Sequence, residues 1–309
     1  MRLQVLGVAA GGGFPQWNCA CDLCVACRQG KGPTPTSHAG IAVRGDDGRW
    51  CLANATPDVH AQIEATPELW PSRAPEGAAL PARGTPVASV VLTDAEFDHT
   101  IGLLLLREGA ALDVWGTPAV LEILAEDFPV RRLLDRYADF HWRELTPGKP
   151  ASVLPGVEVT PFAISDRAPR FSSRPDRPDA VVALRFENPA TGGRALWAPQ
   201  VPAWTDEVRD AVAHVDVAYI DGTFWQADEL IRTGAGSLAA PAMGHLPVGG
   251  HGGIAQELSA TGTRQPPRPR RYLAHINNTN PILDPRSPQR AHLGVRGIEI
   301  APSGTSLDL

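Results

Sequence analysis

Short hydrophobic runs, separated by polar and turn-forming residues, recur along most of the chain. Runs rich in β-branched residues and bounded by Gly, Pro, Asn or Asp predict β-strands. They lie at residues 2–8, 41–45, 49–55, 88–94, 113–117, 157–162, 180–186, 194–199, 215–221, 270–276 and 297–302. Between several of them, apolar residues recur at helical spacing in DVHAQIEA, HTIGLLLLREG, PAVLEILAEDFPVRRLLDRY, TDEVRDAVAHV and GIAQELSA. This mixture predicts α/β layers, with strands sandwiched between helices.

The length of 309 residues fits one large α/β domain or two small ones. Three stretches rich in Pro and Gly, at 71–86, 165–179 and 264–271, predict surface loops, because strand patterns continue on both sides of each. We therefore expect one domain over residues 1–309.

Charge and hydropathy exclude some classes of partner. The net charge is −6, so the chain lacks the basic excess that binds a phosphate backbone, and we expect no nucleic acid partner. Glycines interrupt the apolar run at the N-terminus, and no later run approaches membrane-spanning length. We expect a cytoplasmic protein without a membrane partner. The sequence leaves the oligomeric state open, a homo-oligomer included.

Four of the five cysteines fall within nine residues, at Cys19, Cys21, Cys24 and Cys27. This spacing is too tight for a disulfide framework and favours a structural zinc ion, which prefers four tetrahedral N or S ligands. Residues from about 17 to 30 thus predict a zinc-binding loop. A distant histidine would tie this loop to the core, and His245 in the Gly-rich MGHLPVGGHGG segment is the preferred candidate. His251 and Cys27 are the alternatives, and either histidine could instead be an ordinary loop residue.

A second group of possible ligands follows the strand pattern at 88–94. The turn after it carries three carboxylates and an imidazole: Asp94, Glu96, Asp98 and His99. Two other strand patterns also end in such residues, namely Asp221 in IDGTFW and His275 in RRYLAHI. Strand ends of a layered α/β fold meet at one edge, so these residues predict one site. The alternative is that the first group only caps a helix and faces solvent.

Three amides follow His275, and an arginine ends the apolar segment LLLLREG. We interpret them as candidate substrate contacts: Asn277, Asn278, Asn280 and Arg107. The amides could equally cap the turn after the strand.

The order of an Asp-His pair after one strand, a later strand-terminal Asp and a final strand-terminal His resembles the metallo-β-lactamase superfamily. That resemblance implies an αββα four-layer sandwich with two central mixed sheets flanked by helices. The family motif usually reads His-x-His-x-Asp-His, and Asp94 and Glu96 stand here in place of its first two histidines. The residues that match the remaining metal position are Asp98, His99 and His275, with Asp221 at the place of the carboxylate that bridges two metals.

Further segments resemble, in order, the branch of this superfamily that acts in biosynthesis of pyrroloquinoline quinone (PQQ): GGGFPQWNCACDLC, NATPDVHAQI, MGHLPVGGHGG and HINNTNPIL. A related phosphodiesterase branch shares one zinc ion between a cysteine loop and a histidine. The resemblance therefore implies Cys19, Cys21, Cys24 and His245 as structural zinc ligands.

The resemblance also implies an iron(II)-dependent, O2-using hydroxylase of the Tyr ring in a Glu-Tyr cross-linked precursor. Its catalytic metal would be held by Asp98, His99 and His275, with Asp221 as a fourth ligand or as an acceptor that orients a histidine, and Zn²⁺ could replace Fe²⁺ there. Asp94 and Glu96 would be neighbouring acids or proton relays. The partners would be a small-molecule substrate from a Glu/Tyr precursor peptide and other PQQ biosynthesis proteins. A non-catalytic carrier or export factor and a metal-dependent hydrolase are the alternatives.

Overall fold

Two seven-stranded sheets form the centre of the molecule, within the residues that this computed structural model describes: 1–71, 84–109, 111–261 and 269–309. The first sheet contains β1 (Arg2–Gly7), β2 (Gly40–Arg44), β3 (Trp50–Ala53), β4 (Val87–Val91), β5 (Leu112–Gly116), β6 (Phe140–Glu144) and β14 (Ser306–Asp308). The second contains β7 (Ala151–Leu154), β8 (Val157–Arg167), β9 (Asp176–Glu187), β10 (Arg194–Ala198), β11 (Val217–Asp221), β12 (Arg270–Ala274) and β13 (Ile298–Ile300).

The two sheets share one pairing pattern. Their strand orders are β14-β1-β2-β3-β4-β5-β6 and β13-β12-β11-β10-β9-β8-β7. In the first sheet, pairing is antiparallel from β14 to β3 and parallel from β3 to β6. In the second, it is antiparallel from β7 to β10 and parallel from β10 to β13. The carboxyl ends of parallel strands are where such sheets place ligands, and β4, β11 and β12 lie in these parallel halves.

Helices cover the outer faces of the sheets. The α-helices are α1 (Asp22–Arg28), α2 (Val59–Glu64), α3 (Phe97–Thr100), α4 (Pro118–Glu126), α5 (Val130–Leu134), α6 (Asp206–Ala213), α7 (Glu229–Arg232), α8 (Ile254–Ala260) and α9 (Pro288–Val295). Short 3₁₀ helices span Pro67–Leu69, Ile101–Glu108, Ala240–Met243 and Pro281–Leu283. Among the helices of the described ranges, none has both the length and the apolar character needed to cross a bilayer.

Two large hydrophobic clusters hold these layers together. One joins residues of both sheets, such as Val43 and Leu184, to α6, α8 and α9. The other packs the first sheet against α2, α4 and α5, for example through Val90 and Leu124. Each fully buried Val or Leu contributes roughly 1.5–3 kcal/mol relative to an exposed one. Helices therefore lie outside two sheets, as the predicted αββα sandwich requires.

Several predicted elements differ in detail. The long helical pattern that starts at Pro118 is two helices, since Pro129 lacks an N–H for a continuous helix and lies between α4 and α5. The segment HTIGLLLLREG is a short α-helix followed by a 3₁₀ helix rather than one regular helix. The predicted loop at 165–179 is partly strand, because β8 continues to Arg167 and β9 begins at Asp176. Most of the predicted loop at 71–86, and the start of the one at 264–271, lie outside the described residues.

Candidate metal centre

Side chains from the ends of β4, β11 and β12 meet in one buried centre. Two overlapping groups could hold a metal ion, with candidate ligand atoms within 4.8 Å of one another: Asp98, His99 and His275, and Asp221, His245 and His275. The strand ends thus bring together the four residues that the sequence predicts as catalytic metal ligands. Each sheet contributes a buried aspartate that orients a histidine.

In the first sheet, Asp94 orients His99. Asp94 follows β4 and is fully buried. The Nδ1–H of His99 donates to Oδ2 of Asp94 at 2.7 Å, and Oγ1 of Thr93 donates to the same oxygen at 2.7 Å. The other carboxylate oxygen accepts the backbone N–H of Glu96 at 2.9 Å. A carboxylate on Nδ1 fixes the ring and leaves Nε2 for a metal, which makes Asp94 a supporting residue rather than a ligand.

The Nε2 atom of His99 is buried without a hydrogen-bond partner in the described part of the chain. It lies 3.8 Å from Oδ2 of Asp98, and Nε2 of His275 lies 3.1 Å from that same oxygen. A buried polar atom without a partner is costly, because it has lost its bonds to water. A cation between these three side chains would remove that cost, so the residues present fit a metal ion.

In the second sheet, Asp221 has the role that Asp94 has in the first. The Nδ1–H of His245 donates to Oδ2 of Asp221 at 2.7 Å. Asp221 also accepts the backbone N–H of Val201 at 2.8 Å, the backbone N–H of Thr223 at 2.9 Å and the Oγ1–H of Thr223 at 2.6 Å. Asp221 is therefore fully engaged in holding its neighbours, and His245 is the better candidate for a direct ligand.

The final strand end places His275 in an unusual backbone conformation. Its φ is +55°, in the left-handed region that non-glycine residues seldom adopt and that costs of the order of 1–3 kcal/mol. Its Nδ1 and its backbone oxygen each lie 2.8 Å from Oγ1 of Thr223. The ring is thereby turned so that Nε2 faces Asp98.

The electrostatics of the centre favour a cation. Burial lowers the pKa of His99, but the carboxylates of Asp94 and Asp98 outweigh it and raise that pKa to about 9. Burial raises the pKa of Asp98, but His99 and His275 hold it well below its usual range. Burial, together with Asp94 and Asp98, raises the pKa of Glu96 to about 7. Positive charge is thus stabilised here even without a metal.

The cysteine loop lies near the start of α1. Sulfur atoms of Cys19, Cys21 and Cys24 lie within 4.8 Å of one another, as a zinc site requires. The fourth neighbour is Asn278, whose Nδ2 lies 3.1 Å from the sulfur of Cys19 and 3.5 Å from that of Cys24. Cys27 is outside this group of three and packs with Ala9, Phe14 and Cys24 in a small hydrophobic cluster.

The predicted position of His245 at the cysteine loop is corrected by the structure. A 3₁₀ helix at Ala240–Met243 ends at Gly244 with φ of +84°, and the backbone N–H of Leu246 donates to Val201 at 2.8 Å. These bonds draw the segment against the second sheet, where the buried Asp221 takes the histidine ring. The Gly-rich pattern of the segment does not indicate which acid the histidine would meet.

Comparisons with known proteins agree with this architecture. The family described as "Beta-lactamase superfamily domain" matches residues 49–276. Over 315 residues that cover 100% of both chains, the protein is 40% identical to "Coenzyme PQQ synthesis protein B" from Azotobacter vinelandii and 41% identical to that of Azoarcus sp.. The chain belongs to the coenzyme PQQ synthesis protein B family. The crystal structure of Zn²⁺-bound PqqB from Methylobacterium extorquens superposes with a TM-score of 0.87 at 31% identity, covering 100% of both chains.

The family assignment confirms the predicted metallo-β-lactamase fold and the predicted relatives. The relative from Methylobacterium extorquens is a zinc-bound protein, and the present chain has groups of residues that could bind metal. The ligand sets themselves stay predictions, with His245 moved from the cysteine loop to the Asp-His centre.

A cavity of about 310 Å³ opens over the metal centre of this family member. Its walls combine the acids and histidines of the centre with residues from four other segments: Ala10, Gly11, Gly12, Glu96, Asp98, His99, Arg167, Ala168, Arg170, Gln200, Thr223, Phe224, Met243, His245, His275 and Asn277. Of the predicted substrate contacts, only Asn277 lines this cavity. Sequence reasoning missed Arg167, Arg170 and Gln200, although the number of arginines in the segment SDRAPRFSSRPDR was a visible signal.

The other three predicted substrate contacts, Asn278, Asn280 and Arg107, make contacts outside this cavity. Asn278 faces the cysteine sulfurs, as described above. Asn280 is fully buried, donates from Nδ2 to the backbone oxygen of Gly222 at 2.8 Å and accepts the backbone N–H of Ile282 at 3.1 Å. Arg107 is exposed on the 3₁₀ helix and donates from Nη1 to the backbone oxygen of Leu104 at 2.9 Å. Asn278, Asn280 and Arg107 thus do not line the cavity, and Asn280 caps the turn; their substrate roles stay untested predictions.

Proposed function

We propose that this protein acts in PQQ biosynthesis as an iron(II)-dependent, O2-using hydroxylase. Its substrate would be a small molecule derived from a Glu-Tyr cross-linked precursor peptide, with the Tyr ring as the reacting group. The names of the relatives support the pathway. The observation that carries the metal-dependent part of the proposal is Nε2 of His99, which has no hydrogen-bond partner among the described residues and lies near Asp98 and His275.

The donor set favours iron over a soft metal at this centre. Asp98, His99 and His275 would hold the ion, with His245 as a further imidazole within reach. Two or three imidazoles with one carboxylate are typical of non-haem iron(II) sites that activate dioxygen, which is the chemistry that bound iron(II) would supply. Thiolates, which select zinc, are concentrated instead at Cys19, Cys21 and Cys24, where we propose a structural zinc ion.

The protein's own residues would orient the substrate and move protons. Glu96 lines the cavity, and its pKa of about 7 lets it exchange a proton with a phenol near neutral pH. The backbone of Gly11 passes close to the centre, since a Cβ there would lie 3.4 Å from Oδ2 of Asp98. The absence of a side chain at Gly11 leaves space for substrate beside Asp98. Phe224 supplies an apolar wall of the same cavity.

Insertion of one oxygen atom from O2 reduces the other to water and takes two electrons from an external reductant. The test is therefore anaerobic reconstitution with iron(II), followed by incubation of the Glu-Tyr cross-linked diamino acid with ¹⁸O2 and a two-electron reductant such as ascorbate, and mass spectrometry. We expect a gain of labelled oxygen that requires iron and is absent from an Asp98→Ala/His99→Ala variant. A substrate that binds tightly but gains no oxygen would contradict the proposal and indicate a carrier. Cleavage of a phosphodiester or amide by the zinc-loaded protein would indicate a hydrolase.

A further inference from the structure

We propose that Arg167 and Arg170 bind carboxylate groups of the substrate at the mouth of the cavity, while its aromatic ring faces the metal centre. This inference rests on the proposed function, because it specifies how the same cavity recognises its substrate. It assigns specificity to the end of β8, which carries Arg167, and to the turn before β9, which carries Arg170. The predicted site included neither.

The two guanidinium groups are the uncommitted cations of their segment. Both line the cavity. Among the residues that the structure describes, neither side chain has a hydrogen bond or an ion pair. The neighbouring arginines differ, since Arg174 pairs with Glu122 at 2.7 Å and Arg177 pairs with Glu122 at 2.6 Å and Asp127 at 2.8 Å. Arg174 and Arg177 thus bind the segment to neighbouring acids, whereas Arg167 and Arg170 line the cavity.

The segment is held in a defined position beside the metal centre. The ring of Phe171 stacks on that of Phe97 with centroids 4.5 Å apart and planes 2° apart. Phe97 immediately precedes Asp98, so this stack joins the arginine-bearing segment to a candidate metal ligand. The backbone N–H of Ala168 also donates to Pro175 at 2.8 Å, which closes the turn around Arg170. The backbone that carries the two arginines is therefore tied to the helix that carries Asp98.

Charge divides the cavity into two parts. Its inner end carries Glu96 and Asp98 and would bind a cation, whereas Arg167 and Arg170 leave positive charge at its mouth. A substrate that satisfies both ends has a metal-chelating phenol or catechol and, some distance away, anionic groups. Guanidinium groups bind carboxylates with two parallel hydrogen bonds, which gives orientation as well as affinity. Amino acids derived from Glu and Tyr carry such carboxylates away from the ring.

The test measures binding by calorimetry under argon to zinc-loaded protein, with three catechols that each have one amine: dopamine, dopa and γ-glutamyl-dopa. They carry zero, one and two carboxylates. We expect the affinity of the unmodified protein to increase about 10-fold per carboxylate, since a charge-assisted bond corresponds to roughly this factor. An Arg167→Gln/Arg170→Gln variant should lose this increase and bind dopamine within about 2-fold of the unmodified protein. Arg136→Gln, which removes an exposed arginine elsewhere, is the matched control.

Three results would overturn the inference. These are equal binding of all three catechols by the unmodified protein, an unchanged series in the double variant, and an equal loss for all three ligands, which would indicate a structural role. An Arg167→Lys/Arg170→Lys variant should keep part of the carboxylate dependence. The assay contains neither iron nor dioxygen, so its outcome is independent of turnover. Failure of hydroxylation alone would therefore leave a measured carboxylate preference intact, and the reverse also holds.

Discussion

Asp94 after β4 and Asp221 at the end of β11 occupy corresponding places in two sheets with the same pairing pattern. Each is buried at the end of a parallel strand, and each accepts the Nδ1–H of a histidine at 2.7 Å. A neighbouring threonine, Thr93 or Thr223, donates to each carboxylate. The metal centre thus uses the same arrangement twice, once from each sheet.

The surroundings of the two pairs differ. Asp221 binds two backbone N–H groups, and its Thr223 also contacts His275. Asp94 binds one backbone N–H but is followed by Glu96 and Asp98, which concentrate negative charge around His99. The first sheet therefore mainly supplies the negative charge that attracts a cation. The second mainly supplies the rigid frame, meaning the hydrogen bonds of Asp221 and Thr223 that hold the candidate ligands in place.

The largest effect is expected from removing the charge at the centre itself. Asp98→Ala takes away the carboxylate that both His99 and His275 face, so metal affinity should fall by more than the roughly 10–100-fold that loss of a supporting partner costs. Metal per chain by elemental analysis after dialysis is the measurement. Asp206→Asn, on the exposed start of α6, is the control for a lost acid. Full metal content in Asp98→Ala would exclude Asp98 as a ligand.

The charge of the first sheet also predicts a pH dependence. A proton on His99 competes with the metal up to the pKa of about 9, so metal affinity should increase about 10-fold per pH unit between pH 7 and 9. The stability of the metal-free protein has the opposite pH dependence, so it falls as the pH rises. The raised pKa stabilises the folded protein below about pH 6.5, and this stability is lost as the pH rises through 9.

Chelator competition and denaturant unfolding across this pH range measure the two effects. Asp94→Asn removes the carboxylate that most raises the pKa of His99, so it should flatten both profiles above pH 7. His141→Gln, on the exposed part of β6, should leave both profiles unchanged. A profile that Asp94→Asn does not alter would show that His99 does not control it.

The next comparison is between Asp94→Ala and Asp221→Ala. Both should weaken metal binding by roughly 10–100-fold, because each frees the Nδ1 of a histidine. Asp221→Ala should lower the free energy of unfolding by about 1–3 kcal/mol more, because it leaves an additional buried backbone N–H without an acceptor. Urea unfolding of the metal-free variants measures the difference. Equal destabilisation would contradict the division between charge and frame.

The smallest effects should come from the two threonines. Thr223→Val removes a hydroxyl that contacts both Asp221 and His275, and we expect metal affinity to fall about 10-fold. Thr93→Val removes a hydroxyl that lies 2.7 Å from Asp94 but 3.4 Å from His99, and a fall of about 3-fold or less is expected. Titration with a metal under chelator competition ranks the pair. The opposite ranking would place the rigid frame in the first sheet.

Most of the fold could be predicted from the sequence because its strands carry regular apolar patterns. The three missed strands lie at sheet edges and are short or weakly patterned: in β6 only Phe140 is buried, β14 has three residues and none is buried, and β7 has four residues of which two are buried. Their pairing is decided by a neighbouring strand, which a local pattern does not contain. The helical pattern from Pro118 correctly predicts helix, and Pro129 is the residue that indicates its division into α4 and α5.

The candidate site was predictable where ligands follow strands and unpredictable where loops carry them. His275 directly follows β12, and Asp98 and His99 lie in the short helix α3 that follows the turn after β4, so the strand directions place all three. His245 lies 24 residues beyond Asp221 in a Gly-rich segment, and only the folded backbone selects its partner. Arg167 and Arg170 similarly depend on a stack between Phe97 and Phe171 that no spacing rule indicates.

The short step from His275 to Asn278 links the two metal sites mechanically. The ring of His275 belongs to the Asp-His centre, and three residues later the amide of Asn278 touches the cysteine sulfurs. If the cysteines hold zinc, as we propose, displacing that ion would release one end of this segment and loosen the strained His275 at the other. Thiol-blocking reagents should then slow the proposed turnover without reacting in the cavity, and preparations that differ in zinc content should differ in activity.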